Sequence, residues 1–157
     1  MSFHGFFQNA YVTHDIERAI ATCGPAMGID GFVAMDFDLA LRTPEGEKPA
    51  RLRVATGWAG GLQIELIQPV SGFVDPYLGG LPADPADYVP RWHHLAVRRD
   101  DPETLRREVA ALGLPVIFET GGNGIESVFV DATTRVGHPI EFVCATPEGW
   151  AMLGWPG

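Results

Sequence analysis

The 157-residue chain is short of basic charge, of cysteine and of long apolar runs, and each shortage excludes a class of function. Eleven lysines and arginines stand against 20 aspartates and glutamates, a formal charge of −9, so the mean field repels nucleic-acid phosphates and anionic membrane surfaces. Neither nucleic acid nor membrane is an expected partner. The two cysteines, Cys23 and Cys144, lie far apart and form no CxxC unit, which argues against a disulfide framework and against a thiolate metal site. A reducing, cytoplasmic compartment fits that usage. No apolar stretch reaches the roughly 18 to 20 residues needed to span a bilayer, and Met1-Ser2-Phe3-His4-Gly5 lacks the basic and apolar regions of an export signal. A soluble, unprocessed chain is expected.

What is present is globular in character. Apolar residues make up 46% and charged residues 20%, far from the signature of disorder, and the length suits one domain or a tight pair of small modules.

The most informative feature is an internal repeat. Gln8-Asn9-Ala10-Tyr11-Val12-Thr13-His14-Asp15 and His94-Leu95-Ala96-Val97-Arg98-Arg99-Asp100-Asp101 are each a strand-like run ending, seven residues on, in an aspartate able to cap a helix. Ile16, Ala19 and Ile20 then fall at helical spacing, with Gly24 as the expected stop. In the second copy Pro102 suits a first helical position, Leu105, Val109 and Leu112 line one face, and Gly113 follows as a C-cap.

Three strand candidates follow each helix. In the first half they are 32–42, 50–58 after Pro44-Glu45-Gly46, and 62–67 after Gly60-Gly61. In the second they are 115–119, 126–131 after Gly121-Gly122-Asn123-Gly124, and 139–143. The Gly-rich run reads as a plain turn, since a phosphate cradle needs a strand, loop and helix in order. Both halves close on similar text, Ile64-Glu65-Leu66 and Ile140-Glu141-Phe142. The organisation predicted is a first βαβββ module over 3–68, a connector over 69–90, a second βαβββ module over 91–145 and an apolar tail over 146–157. The tail holds Trp150, Met152, Leu153 and Trp155, so it is expected to pack on the body, a dimer partner or a pocket mouth.

Three segments in this order, Gln63-Ile64-Glu65-Leu66-Ile67-Gln68-Pro69, His93-His94-Leu95-Ala96-Val97 leading to Asp101, and Gly137-His138-Pro139-Ile140-Glu141-Phe142-Val143, resemble the vicinal-oxygen-chelate superfamily. That superfamily includes glyoxalase I, methylmalonyl-CoA epimerase, extradiol dioxygenases and bleomycin-resistance proteins, and the glyoxalase I or epimerase-like branch is the one resembled. The resemblance implies an α+β fold in which two βαβββ modules form a cupped mixed sheet with helices outside. It also implies one metal ligand on the first and last strand of each module, which carries over to Gln8, Glu65, His94 and Glu141.

Strand parity agrees: Gln8 shares a face with Ala10 and Val12, Glu65 with Gln63 and Ile67, and His94 with Ala96 and Arg98. A glutamate in an apolar strand is as compatible with an exposed sheet face as with a site. Its repetition at matched module ends is what favours the site.

One amide, two carboxylates and one imidazole could hold a divalent ion, with Zn²⁺ the first candidate and Ni²⁺, Co²⁺ and Mn²⁺ within the same donor chemistry. The resembled enzymes use the ion as a Lewis acid that stabilises an enediolate after a proton leaves the carbon beside a carbonyl or thioester. The resemblance makes Glu141 the first candidate base and Glu65 the second. The expectation is therefore a metal-dependent isomerase, epimerase or lyase with a small-molecule substrate. The alternatives are a metal-free, resistance-type binding module and, last, an iron(II) extradiol dioxygenase, which Gln8 opposes because that chemistry uses two histidines and one carboxylate. Arg98 shares the parity of His94 and is a candidate to meet a substrate anion. Relatives are commonly dimers, so a homodimer is expected. No segment outside the ligand slots suggests glutathione recognition.

Overall fold

The computed structural model describes residues 3–155. In chain order the elements are β1 (Phe6–Val12), α1 (Ile16–Met27), β2 (Val33–Thr43), β3 (Gly46–Ala59), β4 (Leu62–Gly72), α2 (Asp75–Leu78), β5 (Arg91–Arg99), α3 (Pro102–Leu112), β6 (Val116–Gly122), β7 (Ile125–Val130), α4 (Thr133–Val136), β8 (Ile140–Ala145) and α5 (Pro147–Met152). The fold is α+β, with the βαβββ order occurring twice and a one-turn helix, α4, inside the second copy. Among the described residues two compact units form, one of residues 8–40 and 48–93, the other of residues 3–7, 41–47 and 94–155. No helix among the described residues is long and apolar enough to cross a membrane.

In the first copy β1 runs parallel to β4 and β4 antiparallel to β3. Ile64, Leu66 and Ala55 bury one face against Ile16 and Ala19 of α1, so Gln63, Glu65 and Ile67, which alternate with them, face away from the helix. The second copy repeats this: β5 is parallel to β8, and β8 and β7 are each antiparallel to the strand before them. Val97, Val128, Val130, Ile140, Phe142 and Cys144 pack with Leu105 and Val109 of α3. His94, Ala96, Phe129 and Glu141 therefore lie on the face opposite α3.

The ends of α3 fall where the sequence predicts, with Pro102 first and Gly113 closing it in the left-handed region. Helix α1 differs, since it runs through Gly24 and Pro25 and stops at Gly28 (φ 68°), whose N–H reaches back to the Gly24 and Pro25 carbonyls. Gly24 is a packing residue: a Cβ there would come within 3.1 Å of the Ile29 carbonyl. The Gly121–Gly124 run resolves into a two-residue hairpin turn at Asn123 (φ 52°) and Gly124 (φ 78°), with Gly122 paired to Ile125. The tail forms α5 and lies on the body, where Trp150 is buried against Phe7.

The cap of α3 carries a pH-dependent expectation. Asp101 accepts the Thr104 backbone N–H at 2.8 Å, and this bond, followed by one with the Thr104 side chain, holds its pKa below the ordinary carboxylate value. A folded pKa below the unfolded one gives stabilisation that is present above the unfolded value and lost as pH falls through the folded value. Asp101→Asn keeps a capping oxygen but does not titrate. Thermal melts should show the wild type ahead at neutral pH and the gap closing in acid; a gap unchanged in acid would show that the ionised cap is not its source.

Candidate functional site

His94 on β5 and Glu141 on β8 are brought together by strand pairing. The parallel register sets Ala96 opposite Glu141, and His94 lies two residues back on the same face. His94 is fully buried, the Glu141 side chain is 12% exposed, and Nε2 of the imidazole lies 3.4 Å from Oε2 of the carboxylate. Phe129, the β7 neighbour of Glu141, presents its ring 4.8 Å from the imidazole at 72°, and Phe118 stacks behind it at 4.3 Å. The pair thus has an apolar wall on one side, which excludes water and strengthens the electrostatic coupling between imidazole and carboxylate.

The first copy carries Gln8 on β1 and Glu65 on β4. Ala10 pairs with Glu65 as Ala96 pairs with Glu141, so positions 8 and 94, and positions 65 and 141, are equivalent within their own copies. Glu65 has Thr56 of β3 as its other cross-strand neighbour. Gln8 is 4% exposed; its Nε2 donates to Oε1 of Gln63 at 2.7 Å, and its own Oε1 is buried with no hydrogen-bond partner among the described residues. Such an orphan carbonyl costs about 1–3 kcal/mol, so it marks a place for a donor or a cation. Strand parity already sets Gln63 on the face of Glu65, but its role beside Gln8 carries no signal in the sequence until the strand register pairs the two.

The orphan amide oxygen and the imidazole–carboxylate pair are donor types suited to a divalent ion of the zinc class. Among the described residues no three histidine, cysteine, aspartate or glutamate side chains gather as a metal-holding group. The structure brings His94 to Glu141 within one unit and Gln8 to Gln63 within the other.

Arg98 is engaged by the tail. Its guanidinium carbon sits 4.7 Å from the Trp150 ring and 4.8 Å from the Trp155 ring, and its Nε lies 3.4 Å from Asp100. The depression beside it is also lined by Arg99, Asp100, Asp101 and Glu108, so both signs of charge meet there. Arg99 is paired with Glu108 and donates to the His4 carbonyl. Three other histidines have structural partners: His93 stacks on Tyr77 and bonds the Pro76 carbonyl, His14 bonds the Pro82 carbonyl, and His138 bonds the Pro139 carbonyl.

Comparison with known proteins places these features in context. A family model for the glyoxalase/bleomycin resistance protein/dioxygenase superfamily matches residues 7–130. Among solved structures, methylmalonyl-CoA epimerase from Mycobacterium tuberculosis is 17% identical with a TM-score of 0.61, covering 94% of this chain and 91% of that one. A Streptomyces coelicolor methylmalonyl-CoA epimerase variant in complex with 2-nitronate-propionyl-CoA is 14% identical with a TM-score of 0.64, covering 94% and 99%. A hypothetical protein from Bacillus halodurans is 17% identical with a TM-score of 0.58, covering 90% and 94%. At these identities the likeness is one of fold. No curated protein matches the sequence. With a family model spanning most of its length and the βαβββ order occurring twice, the chain belongs to the glyoxalase/bleomycin resistance protein/dioxygenase superfamily.

Proposed function

We propose that this protein is a metal-dependent isomerase, epimerase or lyase that removes a proton beside the carbonyl or thioester of a small substrate. The observation that carries the reading is the buried His94–Glu141 pair against Phe129. Gln8, Glu65, His94 and Glu141 are the proposed ligands, with Zn²⁺ the first candidate ion and Ni²⁺, Co²⁺ or Mn²⁺ suited to the same donors. When bound, the ion supplies Lewis-acid stabilisation of negative charge on a substrate oxygen.

The chain's own residues do the rest. Glu141 takes the proton at a carboxylate oxygen and returns it to the same carbon, giving epimerisation, or to the neighbouring carbon, giving a 1,2 shift. His94 stands beside that carboxylate, with Nε2 3.4 Å from Oε2, and Phe129 keeps water from one side of the pair. Glu65, at the equivalent position of the first copy, is the second candidate base. The fold likeness to an epimerase solved with 2-nitronate-propionyl-CoA favours a thioester among the substrate classes.

A second reading, a metal-free module that binds a small molecule, is favoured by the lack of a three-residue metal-holding group among the described residues. Elemental analysis of protein purified without chelator separates the two. The enzyme reading expects about one divalent ion per chain, lost in His94→Ala. No bound ion after addition of Zn²⁺, Ni²⁺ and Mn²⁺ would sink it. Incubation of carbonyl and thioester compounds in D₂O should then show deuterium entering beside the carbonyl, and its absence across a broad panel with the ion bound would favour the binding module.

A further inference from the structure

We propose that Gln63 is a positioning residue that fixes the direction of the Gln8 amide, so that Gln8 offers its oxygen, and not its nitrogen, as a ligand atom. This rests on the metal-dependent reading above. A glutamine amide has two nearly isosteric orientations, related by a half-turn of its last torsion, and only the one with oxygen outward can donate an electron pair to a cation. Gln63 selects that orientation: it lies opposite Gln8 in the β1–β4 register, it is fully buried, and its Oε1 accepts from Gln8 Nε2 at 2.7 Å. With the nitrogen held there, Gln8 Oε1 is the atom left buried and without a hydrogen-bond partner among the described residues.

The second copy shows why such a device is needed in one half only. Pro139 stands two residues before Glu141, where Gln63 stands two residues before Glu65, and a proline side chain neither donates nor accepts. The ligand candidate on that side is His94, whose Nε2 is turned to Glu141 directly. An imidazole has no oxygen–nitrogen flip to settle, only a tautomer, whereas an amide needs a neighbour to choose which of its two atoms it offers. Outer partners of this kind set ligand orientation and commonly change metal affinity by about 10- to 100-fold.

The test uses the full chain and Zn²⁺ as the probe. In ion-free protein the Gln8 side-chain NH₂, assigned by its loss in Gln8→Leu, should show one shifted, slowly exchanging proton by NMR. Gln63→Met should abolish that signature and weaken Zn²⁺ binding, by titration calorimetry, about 10- to 100-fold. Gln63→Glu, which keeps the acceptor oxygens and cannot present an N–H when ionised, should retain the signature and bind at least as tightly as wild type. The inference is overturned if Gln63→Met binds Zn²⁺ as wild type does, or if the hydrogen-bonded NH₂ proves to belong to Gln63. Were Gln63→Met to give no dispersed spectrum, loss of the Gln8 signature in a folded Gln63→Glu protein would overturn it equally. Gln8→Leu weakening Zn²⁺ while Gln63→Met does not would overturn this inference and leave the metal reading standing. A wild-type protein that binds no Zn²⁺ would remove both.

Discussion

Glu141→Gln is expected to fold and to keep a ligand oxygen in place, yet to lose deuterium exchange beside the substrate carbonyl by about 10²–10⁴-fold, the usual worth of a positioned acid–base group. The substitution is nearly isosteric, so the contact with Phe129 across the sheet and the approach of His94 Nε2 survive. What disappears is the basic carboxylate that takes the proton. The variant also removes one negative charge beside the proposed ion, so its metal content has to be measured together with exchange. Exchange lost with the ion retained identifies Glu141 as the base; exchange lost only because the ion is lost makes it a ligand first. Glu65→Gln is the paired experiment. Undiminished exchange in Glu141→Gln, with exchange abolished in Glu65→Gln, would move the base to the first copy, and full activity in both would sink the proton-abstraction reading.

Why these two glutamates compete for one role is a consequence of the repeat, and the repeat is readable in the sequence alone. Matched strands ending in helix-capping aspartates, and matched Ile-Glu endings, are local patterns of period two and of spacing. They anticipate the two βαβββ copies; the parallel pairing that sets Ala10 against Glu65 and Ala96 against Glu141 comes from the fold. The limits of α3 were equally legible, because proline, capping aspartate and glycine each act within a single turn.

What escaped depends on partners distant in sequence or on segments too short to show a period. Gly24 carries the same letter as a helix stop, and only its approach to the Ile29 carbonyl shows it to be a packing position, with the stop four residues later. Helices α2 and α4 span four residues each, too few for an apolar stripe to appear. Gln63 becomes meaningful only beside Gln8, 55 positions away. Arg98 had the parity of a substrate ligand, but parity says nothing of Trp150 and Trp155, which flank its guanidinium.

Those tryptophans carry the largest expected effect on stability. Trp150 is 6% exposed, meets the Phe7 ring edge-on at 5.5 Å and 87°, lies 5.1 Å from the Trp155 ring, and stands over the Arg98 guanidinium. Truncating a buried tryptophan to alanine costs about 3–5 kcal/mol, which in a chain of this length lowers the melting temperature by on the order of 10 °C. Met152, two residues along the same helix and 57% exposed, supplies the control: Met152→Ala should stay within about 0.5 kcal/mol of wild type. Equal melting temperatures for Trp150→Ala and Met152→Ala would show that the tail is not held on the body through Trp150. The expected separation instead makes α5 a structural closure of its unit, and it explains the engagement of Arg98. A cation flanked by two indoles and ion-paired to Asp100 anchors the chain end, so any contact it makes with a substrate anion must compete with that anchoring.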